Sequence, residues 1–301
     1  MNNLQRWMQS PQTHSFRKLI FQVHLWMGIG FGLYVLVISL SGSALLLKWP
    51  FYAWFEPKNI QVTETIPLEG EALNARMAEV YEGYELGFTT YSSEPELATY
   101  IVLKKDGEYI PHYFNQYTGE DVGPAHPWQI KSIQWLADVH EDLMLGDKGK
   151  VINGLGGVLF VLMSMSGVMI WWRGQARWVE GLQIKRKSKR AFIWQLHTFI
   201  GFWSLFLMFA WGASAFQIGF PQYIYPVIEM GIEWMRNDIT GFIPLDESLR
   251  FLRRVHFARY TTGAWSNWGW IIASFLPTIL FISGFILWWK RVILNQREQI
   301  Q

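Results

Sequence analysis

Four stretches of this 301-residue chain carry no charged side chain and are long enough to cross a lipid bilayer. They are residues 25–47, 151–172, about 192–220, and a window within 260–289. A spanning helix needs about 20 predominantly apolar residues. A soluble domain of this length has no room to bury four such helices, so the chain is expected to be a multi-pass membrane protein with the lipid bilayer as its first partner. Composition agrees: 17% of residues are charged, against roughly 25% in an ordinary soluble domain. Trp accounts for 18 residues, and this side chain favours the boundary between apolar and wet surroundings. In the last span Pro277 predicts a kink, because it lacks a backbone N–H.

Basic residues orient the chain. Arg173, Arg177, Lys185, Arg186, Lys187, Lys189 and Arg190 crowd the short connection between the second and third spans, against a single Glu180. Arg6, Arg17 and Lys18 precede the first span, and Lys290, Arg291 and Arg297 close the chain. This predicts both termini and the basic loop in the cytoplasm of a bacterial cell, in its inner membrane. The insert between the first two spans then lies outside. Trp171-Trp172 and Trp288-Trp289 end spans two and four just before a basic residue, as interfacial anchors do. No cleaved leader is expected, because the N-terminus lacks a short apolar core followed by a small-residue site.

The insert reads as α+β. Leu68, Ala72, Leu73, Ala75, Met77 and Val80 have helical spacing. Strand-like runs follow at 88–91, 99–104 and 109–115, with Lys105-Asp106-Gly107-Glu108 as a hairpin turn between the last two. A further turn, Tyr117-Thr118-Gly119-Glu120, leads to Val122.

The two halves of the chain repeat each other. Phe21-Gln22-Val23-His24 matches Trp194-Gln195-Leu196-His197, and Gly28 and Gly201 each follow their His by four residues. Ser41 and Ser214 align without a gap. Val139-His140 matches Val255-His256, and Ser166-Gly167 with Trp171-Trp172-Arg173 matches Ser283-Gly284 with Trp288-Trp289-Lys290. Parallel repeats of this kind pack about an axis along the membrane normal.

Of seven His, four stand at repeat-equivalent places: His24, His197, His140 and His256. Ionisable residues at or inside a membrane boundary are costly and point to function. A pseudo-two-fold axis brings His24 towards His197 near the inner face and His140 towards His256 near the outer one. Each pair suits the two axial positions of one haem iron, and a haem so ligated transfers electrons rather than binding oxygen. The expected cofactors are therefore two bis-His haems of the b type, with no catalytic residues beyond the haem ligands. Gly28 and Gly201, one turn beyond their His on the same helix face, leave room for a flat macrocycle. Trp26, Trp203 and Trp268 either pack on the macrocycles or face lipid. A lone His at such a place is ordinarily an interfacial hydrogen-bonder; it is the fourfold repetition that favours haem. His14, His112 and His126 have no repeat partner and carry little weight.

The chain has no Cys, which excludes disulfides and Cys-ligated iron–sulfur or zinc sites. Gly28-Ile29-Gly30-Phe31-Gly32 is glycine-rich but lies within a span, where it serves packing rather than a dinucleotide. The electron donor is thus expected to be a separate molecule, a flavoprotein reductase or a quinol. No nucleic-acid partner is expected.

These residues resemble the PepSY-associated transmembrane proteins, a family that includes bacterial inner-membrane ferric-siderophore reductases. The resemblance rests on His24-Leu25-Trp26-Met27-Gly28, Ser41-Gly42, His140-Glu141-Asp142-Leu143 with Gly146 and Gly149, His197 with Gly201, His256-Phe257-Ala258-Arg259, and the closing Ser283-Gly284 with Trp288-Trp289-Lys290-Arg291. Tyr117-Thr118-Gly119-Glu120-Asp121-Val122-Gly123 is similar to the end of a PepSY domain. The resemblance implies a periplasmic PepSY domain, haem bound between the helices, and reduction of ferric iron held by a siderophore.

The expected fold is thus an all-α four-helix membrane bundle of two repeated helix pairs, carrying a periplasmic α+β PepSY-like insert. In residues this gives a cytoplasmic tail (1–19), span one (20–48), the insert (49–125), a linker and helix with His140 (126–150), span two (151–172), the basic loop (173–191), span three (192–220), a periplasmic segment with His256 (221–262), span four (263–290) and a tail (291–301). The function expected is haem-dependent ferric-siderophore reduction. The alternatives are a b-type cytochrome for cupric ion or a redox partner, and a membrane-anchored PepSY regulator of a protease.

Overall fold

The structure, a computed structural model, describes residues 15–61, 66–92, 94–172, 184, 189–221, 223, 224, 226, 245–258 and 264–291. His14, the basic-loop residues 173–183 and 185–188, the segment 227–244, and the tail from 292 lie outside the described residues. The chain divides into two compact units, residues 47–136 and the remainder.

The larger unit is helical. Helix α1 (Ser15–Leu45), α5 (Asp147–Trp171) and the pair α9 (Ala264–Ser274) and α10 (Leu276–Trp289) supply three candidate membrane spans, Phe16–Leu45, Asp147–Trp171 and Trp268–Trp289. The apolar stretch 192–220 forms two helices, α6 (Lys189–Trp203) and α7 (Leu205–Gly219), bent by 61° at Ser204. They make a fourth span if the bent pair crosses as one. The bend has a local cause. Ser204 turns its hydroxyl back to the Ile200 carbonyl at 2.7 Å, and Gly201 stands in the same turn. Back-bonding serines and Gly/Ser pairs are common sites of helix bending.

Span four breaks where Pro277 predicts it. Pro277 sits in the first turn of α10, and the carbonyl of Ser274, the last residue of α9, accepts from Ser39 Oγ on α1 at 2.9 Å. Thr278 Oγ1 donates to Ser39 Oγ at 3.0 Å. Within a membrane every backbone polar group needs an internal partner, and side-chain hydroxyls are the usual means of meeting that need at a break.

Small residues set the closest helix contacts. A Cβ added at Gly157 of α5 would lie 2.5 Å from the Gly212 carbonyl of α7, and one at Gly219 would lie 2.5 Å from the Gly154 Cα. Gly156 gives way to the ring of Tyr34, and Gly32 to the ring of Phe281. Lipid supplies no hydrophobic force between helices, so such close backbone packing is what holds spans together. At one end of the unit Arg17 donates to the last carbonyls of α5, to Trp172 at 2.7 Å, to Met169 at 3.2 Å and to Ile170. A cation there also favours the negative end of the helix dipole.

The smaller unit contains α2 (Lys48–Phe55), α3 (Gly70–Val80) and an antiparallel sheet in the order β1-β2-β3-β4. The strands are Glu85–Thr90, Thr99–Lys105, Glu108–Asn115 and Glu120–Pro124. Helix α4 (Trp128–Asp142) follows, its residues from Ala137 belonging to the helical unit. The β2–β3 turn places Asp106 at φ 51° and Gly107 at φ 84°. Two left-handed residues are what a two-residue hairpin turn matching the strand twist requires. Leu73, Met77 and Tyr81 form one face of α3 and its C-terminus, and pack on Ile101, Leu103 and Phe114 of the sheet. Leu73, Met77 and Phe114 are fully buried, each stabilising the unit by roughly 2 kcal/mol. The reverse face of the sheet closes a smaller cluster of Ala98, Tyr113 and Ala125.

Candidate metal centre

The repeat-related histidines take their places from the helices just described. His24 stands on α1 and His197 on α6, and the two are near enough to interact electrostatically. His140 closes α4 and His256 closes α8 (Leu245–His256); their ring centres are 6.2 Å apart. Metal–imidazole bonds are about 2.0 Å, so two imidazoles on opposite sides of one metal have ring centres roughly 6 Å apart. Phe257 stands edge-on to His256 at 5.3 Å. Burial holds both His140 and His256 below the ordinary imidazole value, and the neighbouring His140 lowers His256 further. Both are therefore neutral at pH 7, the form that binds metal.

Each of the four rings uses Nδ1 for a serine on another helix. His24 meets Ser166 Oγ of α5 at 2.9 Å, and His197 meets Ser283 Oγ of α10 at 2.8 Å. His140 meets Ser41 Oγ of α1 at 3.2 Å and the Ile38 carbonyl at 3.0 Å. His256 meets Ser214 Oγ of α7 at 2.7 Å. The sequence shows these serines recurring, but not what they touch. Glycine completes three of the seats: a Cβ at Gly42 would lie 2.7 Å from His140 Cε1, at Gly284 3.3 Å from His197 Cε1, and at Gly167 3.5 Å from His24 Cε1.

At Gly28 and Gly201, an added Cβ would make only ordinary contacts, with Met163 Cε at 3.5 Å and Leu280 Cδ2 at 3.7 Å. Protein packing alone does not demand either glycine. Trp26, Trp203 and Trp268 are each more than half exposed, at 60%, 64% and 59%, so they face outward from the unit. The Nε1 groups of Trp171, Trp172 and Trp288 are buried with no acceptor among the described residues.

One supporting contact was not foreseen. Asn153 Nδ2 donates to the carbonyls of His140 and Glu141 at 2.8 and 2.9 Å. It thereby ties the end of α4 to α5 across a turn that places Leu143, Met144 and Gly146 at positive φ. In the insert His112 is engaged differently: its Nδ1 meets Asp121 Oδ1 at 3.0 Å, and Tyr81 donates to the same oxygen at 2.7 Å. Burial lowers His126 below its ordinary value, with Glu56 opposing. Among the described residues no group of three or more His, Asp or Glu is placed to hold a metal ion.

No curated protein matches the chain. The model of the family described as the PepSY-associated TM region matches residues 21–235, more than half of the chain and the part that holds His24, His140 and His197. With its apolar helices, its interrupting α+β insert and that match, the chain belongs to the PepSY-associated transmembrane family.

Proposed function

We propose that this protein is a di-haem electron-transfer protein of the bacterial inner membrane. It passes electrons from the cytoplasm or the quinone pool to ferric iron held by a siderophore on the periplasmic side. The observation that carries the proposal is the 6.2 Å separation of the His140 and His256 rings, the spacing of two imidazoles sharing one metal. His24 and His197 are the repeat-equivalent pair, near enough to interact electrostatically.

The residues fit the group in other respects. Both outer imidazoles are neutral, Gly28 and Gly201 offer a face without a side chain, and Trp171, Trp172 and Trp288 hold unspent N–H donors for an anionic substituent. A haem held by these imidazoles would supply a one-electron iron couple. The chain's own part is to fix the ligands, exclude water through the apolar spans, and set the surroundings that tune the couple. Both termini are assigned to the cytoplasm on the strength of the flanking basic residues, and the donor is assigned as a flavoprotein reductase or quinol.

The test is direct. Purified protein is expected to be red, with two haems per chain and a Soret band that shifts on dithionite reduction. His24→Ala or His197→Ala removes one haem, and His140→Ala or His256→Ala the other. The reduced protein reoxidises when mixed with a ferric siderophore. A colourless protein that takes up no haem on reconstitution overturns the proposal, as does a folded single variant that loses both haems.

A further inference from the structure

The four serines do more than fill space. Ser166 Oγ lies 2.9 Å from the Met163 carbonyl, Ser283 Oγ 2.7 Å from that of Ile279, Ser41 Oγ 2.8 Å from that of Val37, and Ser214 Oγ 2.9 Å from that of Trp211. Each carbonyl belongs to the serine's own helix, three or four residues earlier. A carbonyl only accepts, so each hydroxyl hydrogen is committed to it. What remains on each Oγ is a lone pair, and the atom facing it is a histidine Nδ1. That contact is a hydrogen bond only if Nδ1 carries the proton. For His140 the conclusion stands twice, because Nδ1 also faces the Ile38 carbonyl at 3.0 Å.

We infer that Ser41, Ser166, Ser214 and Ser283 are positioning residues that hold His140, His24, His256 and His197 in the Nδ1–H tautomer, presenting the unprotonated Nε2 of each to a metal. The same serines lower the potential of the iron so held, because an Nδ1–H that donates to an acceptor makes its imidazole a stronger electron donor. The tautomer half stands on the geometry alone; the potential half rests on the di-haem proposal.

Two features make the pattern more than coincidence. The bonds are equivalent between halves: His24 to Ser166 as His197 to Ser283, and His140 to Ser41 as His256 to Ser214. Three serines are nearly fully buried, Ser41 at 3%, Ser214 at 0% and Ser283 at 5% exposure, where a hydroxyl without a partner is costly. Glycine follows Ser41, Ser166 and Ser283, and the ring Cε1 lies against it. Serine takes the ring N–H and glycine makes way for the adjacent carbon, so the Ser-Gly pair is a seat for an imidazole.

The test has two arms. In the haem-free full-length protein, labelled with ¹⁵N-histidine and studied in lipid by solid-state NMR, the four ring systems are expected as Nδ1–H. Ser283→Ala should turn His197 alone into a mixture of tautomers, while Ser283→Thr, which keeps the hydroxyl, restores one form. In the haem-loaded protein, Ser283→Ala should weaken haem retention at the affected site by about 10–100-fold and move its midpoint potential to more positive values, with Ser283→Thr restoring both. The outer haem, unchanged in the same sample, reports that the protein is folded. An Nε2–H tautomer in the unaltered protein, or a tautomer and potential both indifferent to Ser283→Ala, overturns the inference. If the protein takes up no haem, the proposed function falls, and the tautomers alone decide the role of the serines.

Discussion

Tyr34 donates to Asn153 Oδ1 at 2.9 Å, and the amide of the same Asn153 donates to the His140 carbonyl at 2.8 Å. A tyrosine inside the first span is thereby linked, through one side chain of the second, to the backbone of a candidate metal ligand. Asn153→Ala removes the acceptor of Tyr34 and the donor to His140 and Glu141 together. Leaving such groups without partners costs about 1–3 kcal/mol. Thermal unfolding in detergent should show that loss, and under the di-haem proposal the outer haem should be lost before the inner one. Tyr34→Phe deletes a single hydroxyl and should cost about 1 kcal/mol. Equal loss of both haems in Asn153→Ala would show that Asn153 does not act through His140.

The α5–α7 seam makes a prediction by contrast. Gly157→Ala places a methyl 2.5 Å from the Gly212 carbonyl and 2.7 Å from the Phe216 nitrogen, both backbone atoms that cannot swing aside. Overpacking of this kind costs about 1–3 kcal/mol. Gly30→Ala, in the first span, meets nothing within 4 Å. It should be neutral or stabilising by up to about 1 kcal/mol, the propensity difference between the two residues in a helix. Unfolding midpoints of the two variants should move apart; midpoints that move together would refute the close approach at Gly157.

The hairpin turn of the insert makes a third. Gly107 adopts φ 84°, with nothing within 4 Å of an added Cβ. Gly107→Ala therefore meets no clash, only the backbone penalty of a left-handed residue, about 1–2 kcal/mol. Amide exchange should quicken at the β2–β3 end of the sheet and not in the spans. Exchange unchanged along both strands would show that the turn does not need its glycine.

These elements were legible in the sequence to different degrees. The spans stand out because charge is absent over more than 20 residues, and the hairpin because Asp-Gly between two β-branched or aromatic runs has few other uses. The break between α9 and α10, just ahead of Pro277, is legible because proline fits poorly inside a helix. The bend at Ser204 is not, since a serine that bonds back to its own helix is a common site of bending but not a sure one. Arg17 lies within α1 ahead of the uncharged stretch, and its guanidinium meets the carbonyls at the end of α5 there. The histidine pairs could be proposed from the repeat, but the serine acceptors could not. Ser41 and Ser166 lie far in sequence from the rings they serve, and a serine in an apolar helix has no pattern that tells its partner.

Asp121 offers a prediction in pH. Burial alone would raise its carboxyl, but hydrogen bonds from His112, Tyr81 and the Gly123 N–H outweigh burial and hold it below its ordinary value of 3.8. Its folded-state value is thus depressed. The stability that its ionised form contributes is fully present above 3.8, and it is lost as pH falls through the lower folded value. Tyr81 complements it: burial first, then the Asp121 carboxylate, push the phenol up, so its hydroxyl stays a donor throughout that range. In acid Asp121 becomes a neutral acid, its pull on the His112 and Tyr81 donors weakens, and the junction of α3 with β3 and β4 should loosen. Amide exchange in the full-length protein should therefore quicken in β4 as pH falls below 3.8, by roughly the factor set by one depressed carboxylate. Asp121→Asn keeps an acceptor but does not titrate, so its exchange should show no such acid step, at the cost of a lower plateau near neutrality. An acid step of the same size in Asp121→Asn would assign it to another carboxylate. Tyr81→Phe removes one of the donors that depress Asp121, so the step should shift to higher pH, towards the ordinary carboxylate value.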